Sequence, residues 1–394
     1  MKQSESSTRP PCGFPTNEFE ARVTKAQRLM TAANLDALLL TTEPEIRYFT
    51  GFLTQFWQSP TRPWFLVVPK KGKPIAVIPE IGAECMAQTW IDDIRTWPAP
   101  QPSDDGISLL VSTLNKVVGK TGNLGLPMGH ETHVRMPLLN FFTLRQRLRR
   151  IEVVDATDLL QTLRVVKSKA EIAKIAYICD VASTAFEALP SLISVGQTEH
   201  EIFQTFKIEC LRQGADDVPY LVGGAGQGGY KDIISPPSNT ATQAGDLLIL
   251  DTGCLFDGYF CDFDRNFALS DPSDEVKRAY EVVYQATEAG LAAARPGATC
   301  ADLFHAMQSV LEEGGALGNE VGRLGHGLGV QLTEFPSHTP WDRTVLKAGM
   351  VVTLEPSMTF APGRMMVHEE NIVIRKDGPQ LLTRRAPREL PVVD

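Results

Sequence analysis

The chain has 394 residues, 43% hydrophobic and 22% charged, with a formal net charge of −9. That balance is globular and long enough for two domains, and the acidic charge argues against nucleic acid or an anionic membrane as a partner. No apolar run approaches a membrane span, and the seven cysteines form no CxxC pair, which reads as reduced thiols in a cytoplasm.

The predicted elements run as follows. Residues 1–16 are polar, with no apolar core leading to a cleavage site, and read as a short flexible arm rather than a signal peptide. Asn17 to Leu35 has helical spacing of Phe19, Val23, Ala26, Leu29 and Met30. DALLLTT from Asp36 is a strand, and PWFLVVP and KPIAVIP around KKG form a hairpin. Gly82 to Trp90 and Ser108 to Val118 read as helices, and IEVVDAT from Ile151 as a strand. The basic run RQRLRR, Arg145 to Arg150, reads as a solvated helix face. Residues 17–165 thus read as an α/β domain.

A second domain, 166–394, opens at Ser168, where Glu171 three residues on completes a capping box for a long helix. Helices follow at Glu199 to Gln213, Asp274 to about Ala294 and Cys300 to Glu313, with strands at Asp246 to Leu269, MVVTLEPSM from Met350 and VHEENIVI from Val367. GAGQGG, Gly224 to Gly229, fits a dinucleotide fingerprint, but a proline-bearing loop follows it where a helix should start. It reads as a flexible wall of a pocket.

The chemistry gathers in DTGCLFDGYFCDFDR, Asp251 to Arg265. Asp257-Gly258 signals a two-residue hairpin turn. That turn sets Phe256 opposite Tyr259 and Asp251 opposite Asp264, so Asp251, Asp262 and Asp264 share a face. Like charges facing each other destabilise a sheet unless a multivalent cation sits among them. Further candidate ligands are His326 in GHGLGVQLTEF, Glu355 in MVVTLEPSM and Glu370 in VHEENIVI. Strand alternation alone does not decide which of Glu369 and Glu370 points inward.

The pieces LILDTG, CDFDRNF, GHGLG, TLEPS and HEENIVI, in this order, resemble the pita-bread family of methionine aminopeptidases, Xaa-Pro aminopeptidases, prolidases and creatinases. The earlier part, including EPEIRYFTGF, resembles the N-terminal domain of the creatinase and prolidase branch. The resemblance implies an α/β two-domain fold: a creatinase-like N-terminal α/β domain and a C-terminal pita-bread α+β domain. It implies metal ligands Asp251, Asp262, His326, Glu355 and Glu370, with Glu355 as general base. It also implies two divalent metal ions, manganese first, with iron, cobalt or zinc as alternatives that these donors do not separate. A homodimer is implied too, with QFWQSPTRPWF from Gln55 as a candidate contact.

The substrate shell departs from the family. Two histidines of its Xaa-Pro peptidases fall on Ile234 and Thr333, an arginine on His368 and a threonine on Asp264, while the acid Glu334 is kept. Asp264, Thr333, Glu334, His338, His368 and Tyr230 are therefore the candidate substrate-binding residues. Asp264 is open to several roles: orienting a ligand, pairing with Arg265 or His368, or binding a cationic substrate group. The implied activity is metal-dependent hydrolysis of an amide bond in a dipeptide or small peptide. The alternatives are a non-peptidase hydrolase or lyase of a small nitrogenous or betaine-like metabolite, and a non-enzymatic binding protein.

Overall fold

The structure, a computed structural model, describes residues 8–59, 62–318 and 322–393. The chain divides into two compact units, Pro11–Arg164 and Val165–Asp394, the latter joined by residues 8–10. Residues 1–7 of the expected arm lie outside the described residues. Its described part is not free: the Arg9 guanidinium stacks 5.3 Å from the Phe256 ring, and Thr16 already opens a helix.

The first unit contains α1 (Thr16–Ala32), β1 (Ala37–Leu40), α2 (Glu43–Thr50), β2 (Phe65–Pro69), β3 (Ile75–Pro79), α3 (Ala83–Ala87), β4 (Asp93–Trp97), α4 (Ile107–Val118), β5 (Gly122–Leu126), α5 (Leu138–Arg147), β6 (Ile151–Asp155) and α6 (Thr157–Arg164). Its strands form one mixed sheet in the order β4-β3-β2-β1-β5-β6. The β2–β3 hairpin is as expected. The helix expected over Gly82 to Trp90 spans only Ala83–Ala87, because the Gln88 and Thr89 amides close tight turns onto Cys85 and Met86. Of QFWQSPTRPWF, Pro60 and Thr61 lie outside the described residues. Trp57 and Trp64 pack in this unit's own core.

The second unit contains α7 (Lys169–Ala188), α8 (Glu199–Gln213), β7 (Asp217–Gln227), β8 (Asp246–Phe256), β9 (Tyr259–Phe260), β10 (Phe263–Leu269), α9 (Asp274–Ala293), α10 (Cys300–Glu313), β11 (His326–Gly327), β12 (Glu334–Ser337), β13 (Val351–Leu354), β14 (Ser357–Ala361), β15 (Arg364–Val367), β16 (Glu370–Arg375), β17 (Gly378–Leu381) and β18 (Val392–Val393). Ser168 and Glu171 make the full capping box on α7. One sheet runs β18-β10-β8-β7 and a second β12-β11-β13-β16-β17. Helices α7 and α8 pack on the first sheet, α9 and α10 beside the second. Leu247, Ile249, Val352 and Ile372 from both sheets meet in one core with α9 and α10.

The two late strands are each interrupted. β13 stops before Glu355-Pro356, where proline has no amide to continue the ladder. β16 starts after His368-Glu369. Both interruptions carry an acid.

Candidate metal centre

The acidic hairpin has the expected register: Phe256 faces Tyr259 and Asp251 faces Asp264. Asp257 and Gly258 turn with φ of 45° and 80°, the left-handed values that a two-residue hairpin loop demands. Asp257 does more than turn. Its buried carboxylate takes a 2.5 Å ion pair from Lys174 of α7, and Tyr259 donates to Glu171 at 3.0 Å. Asp262 falls between β9 and β10, outside the ladder. Its amide donates to the Asn371 side chain at 3.0 Å instead, and its carbonyl accepts from the same side chain.

His326 stands on β11 between β12 and β13. Gly325 before it has φ of 126°, and a Cβ there would lie 2.4 Å from the Thr353 carbonyl, so glycine is required. The His326 Nδ1 donates to the Gly327 carbonyl at 2.8 Å. That sets the tautomer and puts the Nε2 lone pair on the side of the acids. Nε2 lies 3.3 Å from Asp262 Oδ2.

Asp262, His326 and Glu369 offer donor atoms that all lie within 4.8 Å of one another. Glu369, just before β16, and not Glu370, is thus the acid that enters the cluster. The Glu370 carboxylate is spent elsewhere: it accepts from Arg265 at 3.1 Å, Arg385 at 3.1 Å, the Ala386 amide at 2.9 Å and the Thr383 hydroxyl. Burial works to raise its pKa, but Arg265, the strongest of the opposing groups, together with Arg385 and the Thr383 hydroxyl, outweighs that and holds it at about 2. β16 begins at Glu370, so the acid just before it is free to turn inward.

Burial is also the main influence on the clustered acids, and here the opposing groups do not outweigh it. Asp251, Asp262 and Glu369 are pushed well above the usual carboxylate range by desolvation, and Asp251 and Glu369 further by neighbouring carboxylates. Desolvation pushes Glu355 up to about 7, with His326 pulling it down and Asp262 up. Asp251 Oδ1 and Glu369 Oε1 are buried without a hydrogen-bond partner, whereas Asp251 Oδ2 accepts from Tyr220 at 3.3 Å. Orphaned carboxylate oxygens beside an imidazole nitrogen suit a hard or borderline divalent cation. Arg323, three residues before His326, acts electrostatically on both Asp262 and Glu355. Sequence reasoning passed over it, because only the fold brings that arginine near the acids.

The other candidates separate by partner. Glu334 makes a buried 3.1 Å ion pair with Lys167, and Arg323 reaches the Thr333 hydroxyl at 3.5 Å. His338 is fully buried, with Nε2 donating to the Thr353 carbonyl at 3.0 Å, and burial lowers its pKa to about 4. Both His368 nitrogens are occupied, by Thr287 at 3.0 Å and Arg385 at 2.8 Å, and burial keeps the ring neutral. With Glu369 as the inward acid, the position two residues earlier is Val367 rather than His368. Tyr230 is buried, donating to Asn266 at 2.9 Å and accepting from the Val367 amide at 2.8 Å. Asp264 does not pair with His368 or with the Arg265 guanidinium, which goes to the Asp264 carbonyl; its carboxylate has a 3.5 Å contact from Asn266. Ile234 is 73% exposed on its loop. Gly224 to Gln227 of the glycine run end β7 and, with Gly229, Lys231 and Arg364, line a cavity of about 700 Å³.

Two helix-backed sheets bring carboxylates and one imidazole to a common buried point that suits a divalent metal ion. The profile of metallopeptidase family M24 matches residues 173–376, and that of the creatinase/prolidase N-terminal domain matches residues 22–166. The chain belongs to metallopeptidase family M24. It is similar to the probable dipeptidase PepE of Mycobacterium tuberculosis, 26% identical over 96% of this chain and 98% of that protein. The Xaa-Pro dipeptidase of Lactobacillus delbrueckii subsp. lactis is 26% identical, covering 93% and 98%. The crystal structure of dipeptidase PepE from Mycobacterium ulcerans aligns with a TM-score of 0.83 at 28% identity, covering 96% and 99%. A prolidase from Thermococcus sibiricus shares the fold with a TM-score of 0.86 at 23% identity, covering 96% and 100%. Among the described residues, no helix is long and apolar enough to cross a membrane.

Proposed function

We propose that this chain is a dinuclear metal-dependent hydrolase that cleaves an amide bond in a dipeptide or small peptide, of the Xaa-Pro dipeptidase type. The observation that carries the reading is the convergence of Asp262, His326 and Glu369 donors within 4.8 Å, beside the orphaned Asp251 and Glu369 oxygens. Asp251, Asp262, His326, Glu355 and Glu369 are the residues assigned to hold two divalent cations, manganese first. Once bound, such cations supply acidification of water and polarisation of the scissile carbonyl. Glu355 receives the proton of the attacking water at its carboxylate and delivers it to the leaving nitrogen. Tyr220 holds the Asp251 carboxylate in place through Oδ2.

A second reading, hydrolysis of a small nitrogenous metabolite, is favoured by the substrate shell. Ile234 and Thr333 offer no imidazole, and Val367 offers no guanidinium, to a peptide carbonyl or carboxylate. The test is a panel of X-Pro dipeptides, other dipeptides and small amide metabolites, given to the manganese-loaded protein. Peptide cleavage that disappears in Glu355→Gln and on chelation supports the first reading. Turnover of metabolites alone moves the assignment to the second, and an inert panel with bound metal sinks both. A homodimer is part of the proposal and is checked by light scattering. So is a cytoplasmic location, supported by seven free cysteines, five of them buried.

A further inference from the structure

Behind the candidate ligands lies a second polar pair that touches no metal-facing atom. Thr353 on β13 and Asn371 on β16 are cross-strand partners, and both are fully buried. The same register carried one step further sets Glu355 opposite Glu369. Thr353 and Asn371 are thus the pair two residues behind the glutamates on each strand.

Each of the two side chains bonds the backbone of a ligand residue from a different element. The Thr353 hydroxyl accepts from the His326 amide at 3.1 Å. The Asn371 side chain accepts from the Asp262 amide at 3.0 Å and donates to the Asp262 carbonyl. It thereby replaces the ladder partner that Asp262 lacks between β9 and β10. The Cys179 thiol donates to the same Asn371 oxygen at 3.3 Å and steadies the amide, and His338 donates to the Thr353 carbonyl at 3.0 Å. Ordinary packing at this depth calls for apolar residues, since a buried polar side chain is costly unless all its hydrogen bonds are made.

We propose that Thr353 and Asn371 are positioning residues of the metal centre, setting the spacing of His326 and Asp262 against the glutamates. The proposal rests on the metal-binding reading above. Outer hydrogen bonds of this kind typically govern metal affinity by about 10- to 100-fold.

The test titrates the metal-free full-length protein with Mn²⁺ alone, by calorimetry and by the Mn²⁺ paramagnetic resonance signal. Asn371→Ala is expected to weaken Mn²⁺ binding about 10- to 100-fold. Thr353→Val, close in shape and lacking only the hydroxyl, is expected to weaken it about tenfold. Thr353→Val also keeps the test alive where Asn371→Ala does not fold. Val373→Ala is the comparator, a buried change two residues along the same strand that leaves Asp262 and His326 untouched. It is expected to lower the melting temperature while leaving the Mn²⁺ isotherm as in the wild type. Unchanged isotherms in the folded Asn371 and Thr353 variants overturn the proposal, as does an equal loss in Val373→Ala. A wild type that binds no Mn²⁺ is a different failure and removes the metal-binding reading itself.

Discussion

On the β8–β10 side, Asp251 and Asp264 ride on a continuous register set by a two-residue turn. On the β13–β16 side, Glu355 and Glu369 stand just past the ends of their strands, where no ladder bond fixes them. Asp262 is intermediate: it leaves the ladder, but the pairs on either side of it, Leu255 with Phe260 and Thr252 with Phe263, keep the count. A side chain inside a register inherits its face from arithmetic. One at a strand break takes whichever face its neighbours' hydrogen bonds leave open, and Arg265 with Arg385 claim Glu370.

The sharpest way to break this contrast is to mutate the adjacent glutamates separately. Glu369→Ala is expected to abolish tight Mn²⁺ binding and hydrolysis together, with the fold retained by circular dichroism, since it removes a ligand and relieves buried repulsion. Glu370→Ala is expected to act through stability. It leaves Arg265 and Arg385 without their shared carboxylate, a loss of about 3–5 kcal/mol for a broken buried pair, read by urea denaturation of the metal-free protein. Equal effects of the two variants on metal binding would undo the assignment of Glu369.

The next expected effect concerns pH. Glu355 is raised to about 7 in the folded chain from an ordinary 4.5, so the unfolded chain loses that proton first as pH rises. The folded state's retained proton therefore favours folding below pH 4.5, and that contribution is lost as pH climbs through 7. The raised pKa values of Asp251, Asp262 and Glu369 act in the same direction. Urea midpoints of metal-free protein should fall across this window, and saturating Mn²⁺ should flatten the fall. A metal-free midpoint that rises instead would contradict the assigned burial.

The smallest expected effect tests the turn. Gly258→Ala forces a side chain into φ of 80°, at a cost of about 1–2 kcal/mol. Because the turn sets the register of Asp251 against Asp264, Mn²⁺ affinity should fall with it. Lost stability with an unchanged isotherm would show that Asn371 alone suffices to place Asp262.

Much of this was legible along the chain. The Ser168–Glu171 cap, the β2–β3 hairpin and the Asp251–Asp264 pairing follow from local rules that need no tertiary partner. Other features were not legible, and each depends on a distant residue. Asp257 looked like a bare turn residue until Lys174, 83 positions away, supplied a buried cation. His338 and His368 looked available for substrate until Thr353 took Nε2 of His338, and Thr287 and Arg385 took both nitrogens of His368. Arg323 had no evident role until the sheets brought it near Asp262 and Glu355.

The sequence by itself determined the family, the two-part α/β organisation and the aspartate face of the site, because turn chemistry and strand period act over a few residues. Only the tertiary structure decided between Glu369 and Glu370. Two adjacent acids at a strand break are equivalent to any local rule. The choice was made by Arg265 on β10 and Arg385 near the C-terminus, which satisfy one carboxylate and leave the other to face the candidate metal site.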